Sequence, residues 1–334
     1  MKPFLAAFAL GGCVWQQGAL QPRGPKASSI AELGTAFFAV TAAVLVAMLT
    51  AAIWAFVRGS QRASGAEQQP AAAEPGTDRQ LTRVVSASTL ASLLLLAGLL
   101  VASVATGQRL ADFAPAKPVR IKVTGHQWWW KIEYPGNAPQ DLVVTANELH
   151  VPAGLPVELE LSSADVIHSF WLPNLDGKHD LIPNHVIKTY LQADMAGDYS
   201  GRCAEFCGYQ HAHMDLLLIA QTPREFQAWL AAQRQPASEP QTERERRGRE
   251  LVEHKPCAPC HTISGTRALG GLGPDLSHLA SRRTLAAGAV INDRVGLKGW
   301  LSNPHSYKPG TQMPAVELTS EELEAIVSYL ESLR

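Results

Sequence analysis

Three regimes of hydrophobic patterning follow one another along the chain. Residues 33–57 and 84–108 each run for 25 positions without a charged side chain or a proline, and both are rich in Ala, Leu and Val. As helices they would each reach roughly 37 Å at ~1.5 Å per residue, more than the ~30 Å of a bilayer's hydrocarbon core. They predict a transmembrane hairpin; the alternative is a pair of helices buried in a soluble protein. From about Asp112 the period falls to two. Val119, Ile121 and Val123 alternate with Arg120, Lys122 and Thr124, and Val157, Leu159 and Leu161 with Glu158, Glu160 and Ser162. Such alternation predicts half-buried antiparallel strands. Pro152, Gly154 and Pro156 suit the turns between them, so a β-sandwich or barrel is expected. A short helix then follows, with Thr222 as N-cap, Pro223 in the first turn and Glu225 completing a capping box. Past the polar, proline-bearing stretch 233–240 the pattern turns helical. Residues 244–253 are charged, and Thr319 with Glu322 forms a second capping box. That box opens a final helix whose stripe is Leu323, Ile326, Val327, Leu330 and Leu333.

The division expected is 1–29 as an export-type N-terminus, 30–110 as the helix hairpin, 111–235 as the β domain and 236–334 as a helical module. Lys2 precedes a short apolar run and small residues leading into Cys13, the shape of an export signal. Leu10-Gly-Gly-Cys13 also resembles a bacterial lipoprotein processing site, which would make Cys13 a lipidated N-terminus; the alternative is an ordinary cysteine in an uncleaved signal. Four arginines in the link 58–83 place that loop in the cytoplasm by the positive-inside rule. Both chain ends then face outward.

Charge changes the picture little for the whole chain and more for its parts. A formal net charge of −1 offers no basic excess for nucleic acid. Residues 111–235, however, hold nine Lys/Arg against fourteen Asp/Glu, and residues 241–334 hold twelve against eleven. The acidic middle domain would attract a basic protein partner, more weakly as salt rises.

Candidate chemistry is concentrated in two places. Cys203, Cys207, His211 and Met214 follow the spacing C-x3-C-x3-H-x2-M. Thiolate and thioether are soft donors that favour copper, and imidazole suits several metals. Two thiols this close could bridge two ions, with His and Met capping them, and His168 is a candidate second imidazole. A disulfide in an exported domain and a structural zinc site are the alternatives, although zinc seldom takes Met. The second place is Cys257-x-x-Cys260-His261, the signature of covalent c-type haem attachment; a zinc or thiol-redox site is the alternative. Met313 fits as the sixth iron ligand, and a His/Met pair raises the haem potential.

The C-x3-C-x3-H-x2-M loop, Asp165 and His168 ahead of it, and the aromatic run from His126 through Trp128, Trp129 and Trp130 to Tyr134 resemble cytochrome c oxidase subunit II. The CxxCH module with Gly273-Pro274 and Met313 resembles a class I cytochrome c. The whole is similar to the caa3-type arrangement, in which subunit II carries a fused C-terminal cytochrome c. The resemblance implies a multidomain membrane protein: a two-helix transmembrane hairpin, a cupredoxin-like Greek-key β-sandwich or barrel, and an all-α cytochrome domain. It implies a dinuclear copper (CuA) centre held by His168, Cys203, the Glu205 carbonyl, Cys207, His211 and Met214. The Glu205 carboxylate would bind magnesium at the interface with subunit I. Cys257, Cys260, His261 and Met313 would hold haem c, with the Pro274 carbonyl orienting the proximal imidazole. Trp128 would lie at the surface over the copper and receive electrons. Family members carry a Glu near the start of the second membrane helix, where this chain has only Asp78.

The function so implied is an oxidoreductase and translocase subunit in a bacterial inner membrane, with its copper and haem domains on the periplasmic side. Electrons would pass from haem c to CuA and on to subunit I, where O2 is reduced to water with proton translocation. Subunits I and III, membrane lipid, and cytochrome c or another reduced respiratory donor are the implied partners. Fusion would convert a diffusional encounter into a tethered one at high effective concentration. A copper-delivery protein, a quinol oxidase subunit II and a component of a nitrous or nitric oxide reductase are the rival readings. The first would lack the haem motif, and the second would lack the copper ligands.

Overall fold

The computed structural model describes residues 18–63, 75–113 and 118–334. It divides into two compact units, Ser28–Ala114 and a second made of Met1–Ala27 with Pro115–Arg334. Cys13 and the side chain of Asp78 lie outside the described residues.

The first unit is built by helices α1 (Pro25–Ala63) and α2 (Pro75–Ala111). Their most apolar stretches have mean hydropathies of 2.4 and 2.3 and bury none of their residues. Phe38, Met48, Trp54, Leu94 and Val101 stand largely exposed. Apolar surface in water costs about 25 cal/mol per Å², so helices of this kind need an apolar solvent. The few hydroxyls along them are satisfied locally: Thr35 donates to Ala31 O, Thr50 to Val46 O and Ser88 to Val85 O. Polar groups in hydrocarbon require such internal partners. Both helices are long and apolar enough to cross a membrane, and they fit a membrane location.

Ten strands follow: β1 (Val119–His126), β2 (Trp129–Tyr134), β3 (Val143–Ala146), β4 (Glu148–Pro152), β5 (Val157–Ser163), β6 (His168–Trp171), β7 (His179–Leu181), β8 (Ile187–Leu191), β9 (Gly197–Cys203) and β10 (Asp215–Gln221). They form two five-stranded sheets, ordered β3-β2-β1-β5-β8 and β4-β10-β9-β6-β7. This is a cupredoxin-like sandwich. Ile121, Val123, Val157, Leu159 and Leu161 are buried as the alternation predicts, and Trp130 meets Phe170 edge-on at 5.9 Å between the sheets. One expectation is corrected. The two strands that display the alternation pair with each other in parallel, Val119 opposite Val157. Period two reports which face is buried, not which way a neighbour runs; here β2, β3 and β4 intervene and return the chain beside β1 in the same direction. Helix α3 (Pro223–Gln233) begins at the predicted Thr222–Glu225 capping box and closes one end, its Trp229 stacked on His150 at 3.9 Å. The N-terminal segment is fastened to this domain by a buried pair, Lys26 Nζ to Asp176 Oδ2 at 3.0 Å, with Lys26 also donating to Thr189.

The last module contains α4 (Glu243–His254), a two-stranded ribbon of β11 (Thr284–Leu285) and β12 (Val290–Ile291), α5 (Arg294–Ser302), α6 (Pro304–Tyr307) and α7 (Ser320–Ser332). The ribbon is an addition to the all-α expectation. Helix α7 opens at the Thr319–Glu322 capping box, and its stripe of Ile326, Val327 and Leu330 is buried. Helices α4 and α7 cross closely at Gly248, where a Cβ would lie 2.1 Å from Ala325 O.

Candidate copper and haem centres

The antiparallel pairing of β9 with β10 brings the two ends of the 203–214 loop together, and Cys203 N donates to Met214 O at 3.0 Å. Strand β6 lies on the other side of β9, so His168 enters from a neighbouring strand. The loop turns at Gly208, whose φ of +113° suits glycine; a Cβ there would also meet Gln127 and Trp128 at 3.1 Å. Both thiols are free and buried, with sulfurs 3.8 Å apart. Cys203 Sγ lies 3.9 Å from His168 Nδ1 and 3.2 Å from the Glu205 carbonyl. Cys207 Sγ lies 3.6 Å from His211 Nδ1 and 3.9 Å from Met214 Sδ. All six donor groups implied by the sequence therefore converge on one sulfur pair. His213 turns away and donates to Gln210 Oε1 at 2.8 Å.

The groups behind these donors set their orientation and charge. His168 Nε2–H donates to Asp165 Oδ1 at 2.8 Å, which fixes the tautomer and leaves Nδ1 toward the sulfurs. Burial pushes the His168 pKa down, but its hydrogen bonds with Asp165 and Cys203 outweigh this and the net shift is upward. The contact between the two sulfurs moves their pKa values apart: the hydrogen bond they share lowers that of Cys203 and, with burial, raises that of Cys207. The Cys207 carbonyl accepts from Gln127 Nε2 at 2.7 Å and from Trp128 Nε1 at 3.0 Å. Two soft sulfurs in the middle, a thioether, two imidazoles and a peptide carbonyl fit two copper ions better than one tetrahedral zinc, which takes four ligands.

In the last module His261 follows the tight turn of Cys257 and Cys260. Its Nδ1–H donates to Pro274 O at 2.7 Å, which leaves Nε2 available as a ligand atom. Burial lowers its pKa, which keeps the ring neutral and able to ligate. Gly273 permits the ring's position, since a Cβ there would lie 2.7 Å from His261 Cε1. A cavity of ≈ 260 Å³ opens beside the ring, with Cys257, Cys260, Leu297, Trp300, Met313 and Ile326 in its walls. Arg282 also lines it, is buried, and has an Nε without a partner. Burial pushes its pKa down. A buried cation with an orphaned donor calls for an anion, and the propionates of a haem fit that need. Nothing in the local pattern singles out Arg282, the first of two adjacent arginines in a mixed stretch.

Trp128 departs from expectation. It is 7% exposed, not at the surface, because the haem module lies over it. Trp128 and Trp129 are themselves part of the haem cavity's wall. Glu205 is exposed on the loop, and its carboxylate accepts from Phe206 N at 3.2 Å.

Comparison with known proteins agrees with this geometry. The family model described as cytochrome C oxidase subunit II, periplasmic domain, matches residues 137–221, and that described as cytochrome c matches residues 245–334. The chain is similar to cytochrome c oxidase subunit 2 of Alkalihalophilus pseudofirmus, 32% identical over 340 residues that cover 99% of this chain and 95% of the relative. Its similarity to the Bacillus subtilis subunit 2 is 31% over 264 residues, covering 74% and 73%. Among solved structures it is similar to the periplasmic domain of subunit II of cytochrome oxidase from Bradyrhizobium japonicum, 30% identical, covering 35% of this chain and 94% of that one with a TM-score of 0.33. Fold and sites together define a membrane-associated electron-transfer subunit of a haem–copper terminal oxidase. The chain belongs to the cytochrome c oxidase subunit 2 family, in the form that carries a cytochrome c domain. The two domain matches imply a CuA copper centre and haem c.

Proposed function

We propose that this chain is the electron-receiving subunit of its oxidase, carrying electrons from haem c to CuA and on to subunit I, where O2 is reduced to water with proton translocation. Bound haem c and CuA supply the one-electron carriers. The residues that would hold the haem are Cys257, Cys260, His261 and Met313. Those that would hold the copper pair are His168, Cys203, the Glu205 carbonyl, Cys207, His211 and Met214. The observation that carries the proposal is Trp128, which walls the haem cavity on one side and donates its indole N–H to the Cys207 carbonyl at 3.0 Å on the other. A single buried π-system thus touches both sites. Its burial also keeps water from the gap.

The finer assignments follow the same reading. The exposed Glu205 carboxylate is a hard donor with acceptor capacity to spare and suits magnesium at the contact with subunit I. Both helices cross the membrane, the copper and haem domains face the periplasmic side, and Cys13 carries lipid. Subunits I and III and a reduced respiratory donor such as cytochrome c complete the set of partners.

Trp128→Leu tests the reading. It keeps an apolar filler but removes the π-system and the indole donor, leaving the Cys207 carbonyl with Gln127 alone. Haem-to-copper transfer is expected to slow by about tenfold or more, equivalent to ~1.4 kcal/mol of barrier, with both optical spectra unchanged. An unaltered rate would remove Trp128 from the route. Met313→Ala is expected to lose the sulfur–iron charge-transfer band and lower the haem potential; a spectroelectrochemical titration that matches the parent chain would exclude Met313 as ligand.

A further inference from the structure

Two buried ions cross the boundary between the haem module and the copper domain, one in each direction. Lys308 belongs to the haem module and is 3% exposed. Its ammonium donates to Trp128 O at 2.7 Å, His213 O at 2.8 Å and Ala286 O at 3.0 Å. The first two carbonyls belong to the copper domain; one sits on the aromatic stretch and the other immediately precedes Met214. Glu148, at the start of β4, is 2% exposed and accepts from Arg283 N at 2.6 Å and Thr284 N at 3.4 Å, both in the haem module. Gln210 Nε2 adds a bond from the copper loop to Pro309 O at 2.7 Å. Each of these two buried ions is met mainly by backbone dipoles of the other module and forms no ion pair, while an exposed ion pair, Arg283 with Asp198, crosses the same boundary beside them.

That arrangement has a physical consequence. An ammonium has three donors, and all three are used here, so a shift of the module by an ångström or two breaks several bonds at once. Burial pushes the Lys308 pKa down to about 8 against the pull of Asp215. Its desolvation is therefore not fully compensated, and the contact selects one register more than it adds net attraction. We propose that Lys308 is a positioning residue that fixes the haem module in one register on the copper domain, so that internal electron transfer starts from a docked state and not from a tethered encounter. The proposal rests on the copper and haem reading above.

Exposed ion pairs weaken as salt rises, whereas buried ions held by dipoles are screened far less. The test uses the assembled oxidase as parent and as Lys308→Met, with copper and haem content assayed first; missing cofactor would be a failure of the cofactor reading, separate from this one. Two quantities are measured: the rate of haem-to-copper transfer after rapid reduction of the haem, and hydrogen exchange at the Arg283 and Thr284 amides. In the parent, both are expected to stay constant from low to high ionic strength. Lys308→Met strands three carbonyls, so transfer is expected to slow and the two amides to exchange faster, each by about tenfold, the factor that ~1.4 kcal/mol makes in an equilibrium. Parental rate and protection in a fully loaded Lys308→Met protein would overturn the proposal. So would a parental transfer rate that falls as salt rises, a measurement that needs no variant.

Discussion

Cys207→Ser is expected to abolish the mixed-valence copper signal and to leave the haem spectrum intact. Cys207 Sγ lies close to three other candidate donors: Cys203 Sγ at 3.8 Å, His211 Nδ1 at 3.6 Å and Met214 Sδ at 3.9 Å. Serine has the same shape and is only slightly smaller, so the sandwich should still fold. The hydroxyl, however, is a hard donor that stays protonated near neutral pH, and it cannot replace a bridging thiolate between soft ions. The backbone carbonyl of residue 207 survives, so Gln127 and Trp128 keep their acceptor. Turnover is expected to fall by about a hundredfold or more, at least ~2.7 kcal/mol of lost barrier reduction. The haem module has its own core of Leu251, Val252, Ile326 and Leu330, separate from that of the sandwich, and has no reason to respond. Electron paramagnetic resonance of the purified variant is the check. A retained mixed-valence signal would rule out Cys207 as a bridging ligand.

The candidate copper site was legible because five of its six residues fall within Cys203 to Met214, where a tight loop cannot help bringing them together. His168 was not legible from spacing alone. It lies on β6, and only the pairing of β6 with β9 places it beside Cys203; the family resemblance supplied what the local pattern could not. The candidate haem residues Cys257, Cys260 and His261 are one turn of chain, and Met313 had no rival in its module. What stayed hidden depends on how the modules meet. Trp128 reads as a surface residue until the haem module is set over it. Glu148 sits in a strand where period two would allow either face, and Lys308 sits in a polar stretch beside Pro309 and Gly310. A single buried charge leaves no periodic trace, because its partners are backbone atoms that every sequence has. The direction of β5 against β1 was hidden for a similar reason, since alternation carries burial but not topology.

Gly248→Val is expected to produce the opposite phenotype, loss of haem incorporation with the copper signal retained. Gly248 lies in the middle of α4, a helix otherwise dominated by Arg and Glu, and glycine there costs about 1 kcal/mol relative to alanine in helix propensity. The structure explains why it is nevertheless used. A Cβ would fall 2.1 Å from Ala325 O and 2.6 Å from Tyr329 Cβ, and neither is the mobile end of a flexible side chain. The two helices would have to separate by an ångström or more, which would loosen the packing of Leu251, Val252, Ile326 and Leu330 in one step. Gly248→Ala is expected to destabilise the module by about 1–3 kcal/mol, the usual range for overpacking, after its gain in propensity is offset. Valine adds two further methyls at the same crossing and exceeds what a small domain, commonly stable by 5–15 kcal/mol, can absorb together with the lost core contacts. Covalent attachment requires Cys257, Cys260 and His261 to be held at the end of α4, so a splayed crossing removes the cradle before haem is captured. Haem content by pyridine haemochrome, with copper assayed on the same sample, is the check. Stoichiometric haem and a parental thermal midpoint in Gly248→Val would show that the helices accommodate a side chain at this crossing, and that the close approach at Ala325 is not what holds the module together.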